Sequence, residues 1–315
     1  MNTVDKPKRE MEFEPIFSIW EKRREEILKR TERPEFPFGI DELDRVCHGI
    51  TKGKVTVIAA RTSEGKTAFA LQSAFGIAEQ GKVILYITLE DDSKQISERI
   101  FCNVMEVDNQ SLIRGNVSHE KLYDKTMVEI FKRIKFLPLQ NFGHNFQEIK
   151  EAIEAMNPKP DLVFLDYIQM IEQLPRESEY EALSRFAQNC KRFAEENNIG
   201  LVIISQINRA GAKEGKPQAH HLQGCGRLEQ VCDLLLLLYC PFNSNDSSYN
   251  YDPEKNEGMK DCPKDYMEIN IAKNKNGVRN WIVPVKFEGR FYKFSSWIPI
   301  NKEIKKYRSI FGEEQ

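Results

Sequence analysis

The sequence has no long apolar run, no paired cysteines at metal-binding spacing and almost no net charge, and each absence removes a class of function. Its longest apolar stretch, Leu234 to Tyr239, falls far short of the roughly 20 residues that cross a bilayer and suits a buried strand. The amino-terminal residues are charged and lack a signal-peptide core, which predicts a cytoplasmic protein with no membrane partner. The seven cysteines contain no Cys-x-x-Cys pair, and their odd number in a chain of this size argues against a disulfide framework. Cys225, Cys232, Cys240 and Cys262, with His220 and His221 nearby, match no regular zinc spacing and read as buried or incidental thiols. A formal net charge of −2 excludes a generally basic surface. Any nucleic-acid contact must therefore come from a local cationic loop or channel, alone or completed by other subunits.

The pattern that is present is an alternation of strands and helices. The 315 residues suffice for one large α/β domain with extensions, or for two small ones. Residues 1–13 are polar. Glu14 to Arg30 carries Ile16, Phe17, Trp20, Ile27 and Leu28 among charges and predicts an amphipathic linker helix. Pro34 and Pro37 separate it from the core. Such a helix either packs on its own domain or docks on a neighbouring subunit. From Phe38 the pattern predicts strands at 55–60, 83–89, 134–139, 162–165, 201–205 and 234–239 with helices between them, the expectation for a mostly parallel central sheet flanked by helices. Strands at 266–272, 281–287 and 291–294 come next without helices, as in a C-terminal antiparallel extension. The expected division is an arm and linker helix over 1–37, a core over 38–300 and a charged tail over 301–315. Residues 241–263, rich in Asn, Ser, Asp and Gly, read as a surface loop.

The chemistry concentrates where these strands end. Val55 to Ala60 runs into Arg61-Thr62-Ser63-Glu64-Gly65-Lys66-Thr67, a strand, a phosphate-cradling loop and the start of a helix. Backbone N–H groups of Arg61, Ser63 and Glu64 can face an anion, and Gly65 lets the main chain approach closely. Lys66 can neutralise the outer phosphates and Thr67 can ligate magnesium. The usual opening glycine is Ala60 here. Asp166 ends the apolar strand Leu162 to Leu165, a position for a magnesium-holding carboxylate. Glu90 directly follows the strand Ile84 to Leu89, where a carboxylate can orient a water and accept its proton; the same residue with Asp91 and Asp92 reads also as a solvated acidic turn. Gln206 ends a third strand and can sense a γ-phosphate. Beyond it, Asn208 to Gln230 holds Arg209, Lys213 and Lys216 among glycines. This is the composition of a nucleic-acid loop, and equally of a mobile solvated one.

Together these residues resemble the C-terminal ATPase domain of DnaB-type hexameric replicative helicases, a RecA-like phosphate-loop fold. That family's loop often has alanine where glycine is expected, as Ala60 does. Leu89-Glu90 with Gln95 and Arg99 resembles its catalytic-glutamate segment, which implies that Glu90 is the base and that Arg99 helps to hold the nucleotide. Asp166-Tyr167-Ile168-Gln169 is similar to its Asp-Tyr-Leu-Gln, and Ser205-Gln206-Ile207-Asn208-Arg209 to its Ser-Gln-Leu-Asn-Arg. Gly226-Arg227-Leu228-Glu229-Gln230 is similar to the segment after its DNA loop. Ile271-Ala272-Lys273-Asn274-Lys275-Asn276-Gly277 resembles the segment that acts on a neighbour's nucleotide, with Lys275 where the family has arginine. Leu222-Gln223-Gly224-Cys225-Gly226 stands for its DNA-contact loop without that loop's Arg and Glu, which leaves Gln223 and the backbone of Gly224 and Gly226 for phosphates. The resemblance implies ATP, Mg2+, single-stranded DNA, a hexameric homo-oligomer and a separate primase or loader. A RecA-like recombination or repair ATPase and a regulatory ATPase acting on proteins are the rival readings.

Overall fold

The computed structural model describes residues 15–28, 34–89, 91–138, 145–208, 216–222, 226–244 and 264–297. Glu90, Arg209, Lys213, Gln223 and Gly224 lie outside them, as does most of the 241–263 segment. Helix α1 (Ile16–Leu28) and helix α2 (Asp41–Cys47) precede strand β1 (Val55–Ala60), helix α3 (Lys66–Glu79), strand β2 (Ile84–Thr88) and helix α4 (Ser93–Met105). Three short helices, α5 (Asn109–Ile113), α6 (His119–Leu122) and α7 (Lys125–Phe131), lead to β3 (Ile134–Pro138), α8 (Phe146–Ala155) and β4 (Leu162–Asp166). The succession continues through α9 (Glu179–Asn197), β5 (Gly200–Gln206), α10 (Gly226–Val231), β6 (Leu234–Tyr239) and α11 (Pro241–Ser244). Strands β7 (Tyr266–Asn274), β8 (Trp281–Glu288) and β9 (Lys293–Ser296) complete the described chain.

These strands form one nine-stranded sheet in the order β3-β2-β4-β5-β1-β6-β7-β8-β9. β3 through β6 in that order are mutually parallel, and β7, β8 and β9 add on antiparallel. The central parallel strands are largely apolar and buried, as expected where helices cover both faces of a sheet. Successive residues of β1 divide between two layers: Val55, Val57 and Ala59 pack with Leu85, Val163 and Phe186, whereas Ile58 and Ala60 pack with Phe69, Phe164 and Leu236. β6 pairs parallel with β1 on one side and antiparallel with β7 on the other, and a register shift between Leu235 and Leu236 leaves Ala272 as an extra residue in β7.

Local chemistry sets the helix ends. Asp92, Asp108, Ser118, Asp124 and Asn145 each accept a backbone N–H from the first turn of the helix they precede. Ser178 and Glu181 form a reciprocal capping box at the start of α9. The expected strand at 291–294 begins instead at Lys293, because residues 289–291 form a 3₁₀ turn and Tyr292 takes a left-handed conformation. The segment from Asn208 to Gln230 is not all loop: among its described residues it holds a 3₁₀ turn at Ala219–His221 and most of α10. Likewise the expected loop over 241–263 opens with α11. No helix among the described residues is long and apolar enough to cross a membrane.

Candidate nucleotide site

Four neighbouring strands, β2, β4, β5 and β1, end at the same edge of the sheet. The register pairs Ala60 with Gln206 and Thr88 with Asp166, so β1 ends level with β5 and β2 level with β4, while Leu165 pairs with Ile203 and β5 therefore runs past the end of β4. The loop from β1 enters α3 through Gly65, whose φ of +78° is open to glycine at little cost. A Cβ there would also lie 2.9 Å from the Phe294 ring and 3.2 Å from the Phe287 ring. The fourteen-residue α3 directs its N-terminal N–H groups and its positive dipole end at whatever the loop holds.

Lys66 and Thr67, the first residues of α3, meet Asp166 at the end of β4. The Thr67 hydroxyl donates to the Asp166 carboxylate, and the Lys66 ammonium acts on it as a nearby positive charge. Lys66 Nζ also lies 5.2 Å from the centre of the Tyr167 ring. Asp166 is 3 % exposed and accepts the Tyr86 hydroxyl at 2.8 Å. Burial pushes its carboxyl above the usual range, against the pull of Tyr86, Lys66 and Thr67. A buried carboxylate touching a threonine hydroxyl, beside a lysine, is a hard-oxygen donor set that fits a magnesium ion shared with phosphates.

Gln206 reaches back to the loop and donates to Thr62 Oγ1 at 2.5 Å. Gln169 braces it from behind, accepting the Gln206 N–H at 3.2 Å and donating to Ser205 Oγ at 2.9 Å. Arg99, on α4, is engaged by Asp91 at 2.5 Å and lies 5.9 Å from the Tyr292 ring. Asp91 is itself tied to β2 through Thr88 Oγ1. Leu89 donates its N–H to the Asp166 carbonyl at 2.7 Å, which brings the chain leaving β2 alongside β4. Arg61 stands 5.6 Å from the Tyr239 ring. Glu64 turns inward: it is 3 % exposed, and burial raises its carboxyl to about 7, opposed by Arg61 and by the backbone of Arg61 and Cys240.

The other predicted cations lie far from this edge. Lys273 Nζ donates to the carbonyls of Glu229 and Gln230 at the end of α10, at 2.5 and 2.9 Å. Lys275 pairs with Asp233, which also accepts the Val55 N–H. Val55 opens β1 and Ala60 closes it, so Lys275 sits at the opposite end of a six-residue strand, about 20 Å at ~3.3 Å per residue from its own phosphate loop. Among the DNA-facing candidates, Lys216 pairs with Glu268 at 2.9 Å and Gly226 is the first residue of α10. No individual site role was expected of Tyr86, Asp91, Thr62 or Asp233, although Thr62 lies within the loop motif and Asp91 within the acidic turn after β2.

A parallel sheet with a phosphate loop at the C-terminal edge, continued by antiparallel strands, defines the RecA-like nucleotide-binding class. The chain belongs to the DnaB-like helicase C terminal domain family, whose profile matches residues 36–296. A probable plasmid replicative DNA helicase of Chlamydia psittaci is 28% identical over 248 residues, covering 76% of this chain and 51% of that protein. The replicative DNA helicase DnaB of Rickettsia typhi is 27% identical over 297 residues, covering 87% of this chain and 58% of that protein. The chain thus spans about half the length of the curated relatives it matches. Among solved structures, a DnaB-like replicative helicase, studied with its interactions with primase, superposes with a TM-score of 0.74 at 24% identity, over 90% of this chain and 69% of that one. That likeness bears on the fold alone.

Proposed function

We propose that this chain is the ATP-hydrolysing motor of a ring-forming replicative DNA helicase, which moves along single-stranded DNA and works with a separate primase or loader. The observation that carries this reading is the division of cations between two edges. Lys66, Thr67 and Asp166 meet at one edge, while Lys273 and Lys275 stand at the other, out of reach of the same chain's loop. A site built from both edges requires two copies in head-to-tail contact, which closes into a ring when the rotation allows; the family implies six.

In this reading the backbone of Arg61, Ser63, Glu64 and Gly65 and the Lys66 ammonium bind the ATP phosphates, and Thr67 and Asp166 would hold Mg2+. When bound, that ion supplies charge neutralisation on the outer phosphates. Glu90 takes the proton from the attacking water as the terminal phosphate leaves, and Gln206 reads whether that phosphate is still present. Arg99, already oriented by Asp91, lies beside the nucleotide. Lys273 and Lys275 of the adjacent copy stabilise charge as it develops, with no covalent intermediate. Gln206 begins the segment carrying Arg209, Lys213, Lys216, Gln223, Gly224 and Gly226, which would grip the DNA backbone. Helix α1 supports assembly: Phe17, Trp20 and Leu28 are 63%, 53% and 81% exposed, an apolar load suited to docking on a neighbour.

Two assays test the proposal. ATPase activity should rise with single-stranded DNA, in a salt-sensitive way, and a forked duplex should be unwound. Stimulation without unwinding would favour a recombinase-like activity, and ATPase activity indifferent to DNA would remove the nucleic-acid reading.

A further inference from the structure

We infer that Asp233 is a positioning residue for Lys275, holding that lysine at the edge where it acts on the nucleotide of the adjacent copy. The inference rests on the shared-site reading proposed above and adds a residue to it.

Asp233 precedes β6 and is 5 % exposed, a depth at which a carboxylate needs partners. It has three. The Val55 N–H donates to Oδ2 at 2.9 Å, Lys191 Nζ to Oδ2 at 2.7 Å and Lys275 Nζ to Oδ1 at 3.1 Å. These outweigh burial and hold the carboxyl below its usual range. The main chain repeats the grip, because the Lys275 N–H donates to the Asp233 carbonyl at 2.9 Å while the Asp233 N–H donates to the Val55 carbonyl at 2.8 Å. Lys275 is thus fixed through both backbone and side chain to the start of β1 and β6, at the centre of the sheet.

The two lysines are not equivalent. The Lys191 side chain is 16% exposed and the Lys275 side chain 43%. Lys191, on α9, is the resident counterion that neutralises Asp233, and it also meets Glu195 at 3.0 Å. Lys191 is thus shared between two carboxylates, Asp233 and Glu195, whereas Lys275 meets Asp233 from the more exposed side and keeps its ammonium open to a neighbouring copy. A lysine has a flexible four-carbon stem and lacks the rigid planar fork of arginine. A buried carboxylate at its head restores part of the missing orientation, and orientation is what a charge aimed at a transition state requires.

The test uses Asp233→Asn, which keeps an oxygen for the Val55 N–H and removes the charge. A positioning role predicts kcat lowered by about tenfold with KM for ATP unchanged, since the trans cation acts after binding. It also predicts rescue in mixed oligomers. When Asp233→Asn protein is mixed with Lys66→Ala protein under exchange conditions, about one interface in four combines an intact loop with an intact Asp233–Lys275 pair, and activity should return. If Asp233→Asn folds poorly, Lys191→Gln leaves the carboxylate with Lys275 as its remaining ammonium and predicts a smaller fall with the same rescue. A loss of activity that mixing does not repair would mean a structural role and overturn the inference. Wild-type turnover in Asp233→Asn, with a fall in Lys275→Ala, would overturn this inference alone. Wild-type turnover in Lys275→Ala would instead remove the shared-site reading.

Discussion

Replacing Glu64 by Gln should stabilise the protein at high pH and do little at low pH. Glu64 is buried inside the phosphate loop, where its carboxyl is raised from 4.5 to about 7. The folded state therefore prefers the protonated acid. The penalty is absent well below pH 4.5, grows as pH rises, and is complete above pH 7, where the buried group must be charged. Linkage over that span gives an upper figure of about 3 kcal/mol at pH 8 and under about 1 kcal/mol at pH 5. The Arg61 charge is already contained in that figure, because it is one of the groups that hold the carboxyl at about 7 against the larger push of burial. Glutamine keeps the shape and carries no charge, so packing around Arg61, Tyr239 and Cys240 is conserved. Urea denaturation of both proteins at pH 5, 6, 7 and 8 reads the difference directly. A gap that widens with pH supports the argument. A constant gap, or one that narrows as pH rises, would show that the carboxyl is not held uncharged by burial.

Three further outcomes rest on particular contacts. Tyr86→Phe removes the hydroxyl donated to Asp166 inside the core and should cost about 1–3 kcal/mol in urea denaturation, because the carboxylate is left without that donor; unchanged stability would mean that water replaces it. Ser178→Ala breaks the capping box at the start of α9, for an expected loss of about 1 kcal/mol in the same assay, and no loss would mean that the cap contributes nothing to folding. Trp20→Glu on the exposed face of α1 should dissociate the oligomer in analytical ultracentrifugation while leaving the melting temperature of the core in place; an intact oligomer would exclude α1 as the docking arm.

The central strands were legible because they are short, largely apolar runs. Val55 to Ala60, Leu162 to Asp166 and Leu234 to Tyr239 emerge at or within a residue of where the patterning puts them. The region between α4 and β3 holds three helices of four to seven residues, which the expected alternation of strands and helices does not separate. Helices so short show no usable periodicity, although Asp108, Ser118 and Asp124 each signalled a start. Within the site, the convergence of Lys66, Thr67 and Asp166 comes from motif and strand order together. The inward turn of Glu64 does not, since a loop carboxylate ordinarily faces solvent. Nor does the hold of Asp233 on Lys275, which are 42 residues apart in sequence and adjacent only because β7 returns antiparallel beside β6.

The account depends most on a nucleotide site shared between two copies, and subunit mixing measures that directly. Lys66→Ala and Lys275→Ala proteins should each hydrolyse ATP poorly alone. Combined under exchange conditions, they should regain activity, because an intact loop then meets an intact lysine at about one interface in four. Recovery is the predicted result; two inactive variants that stay inactive after verified exchange would contradict it.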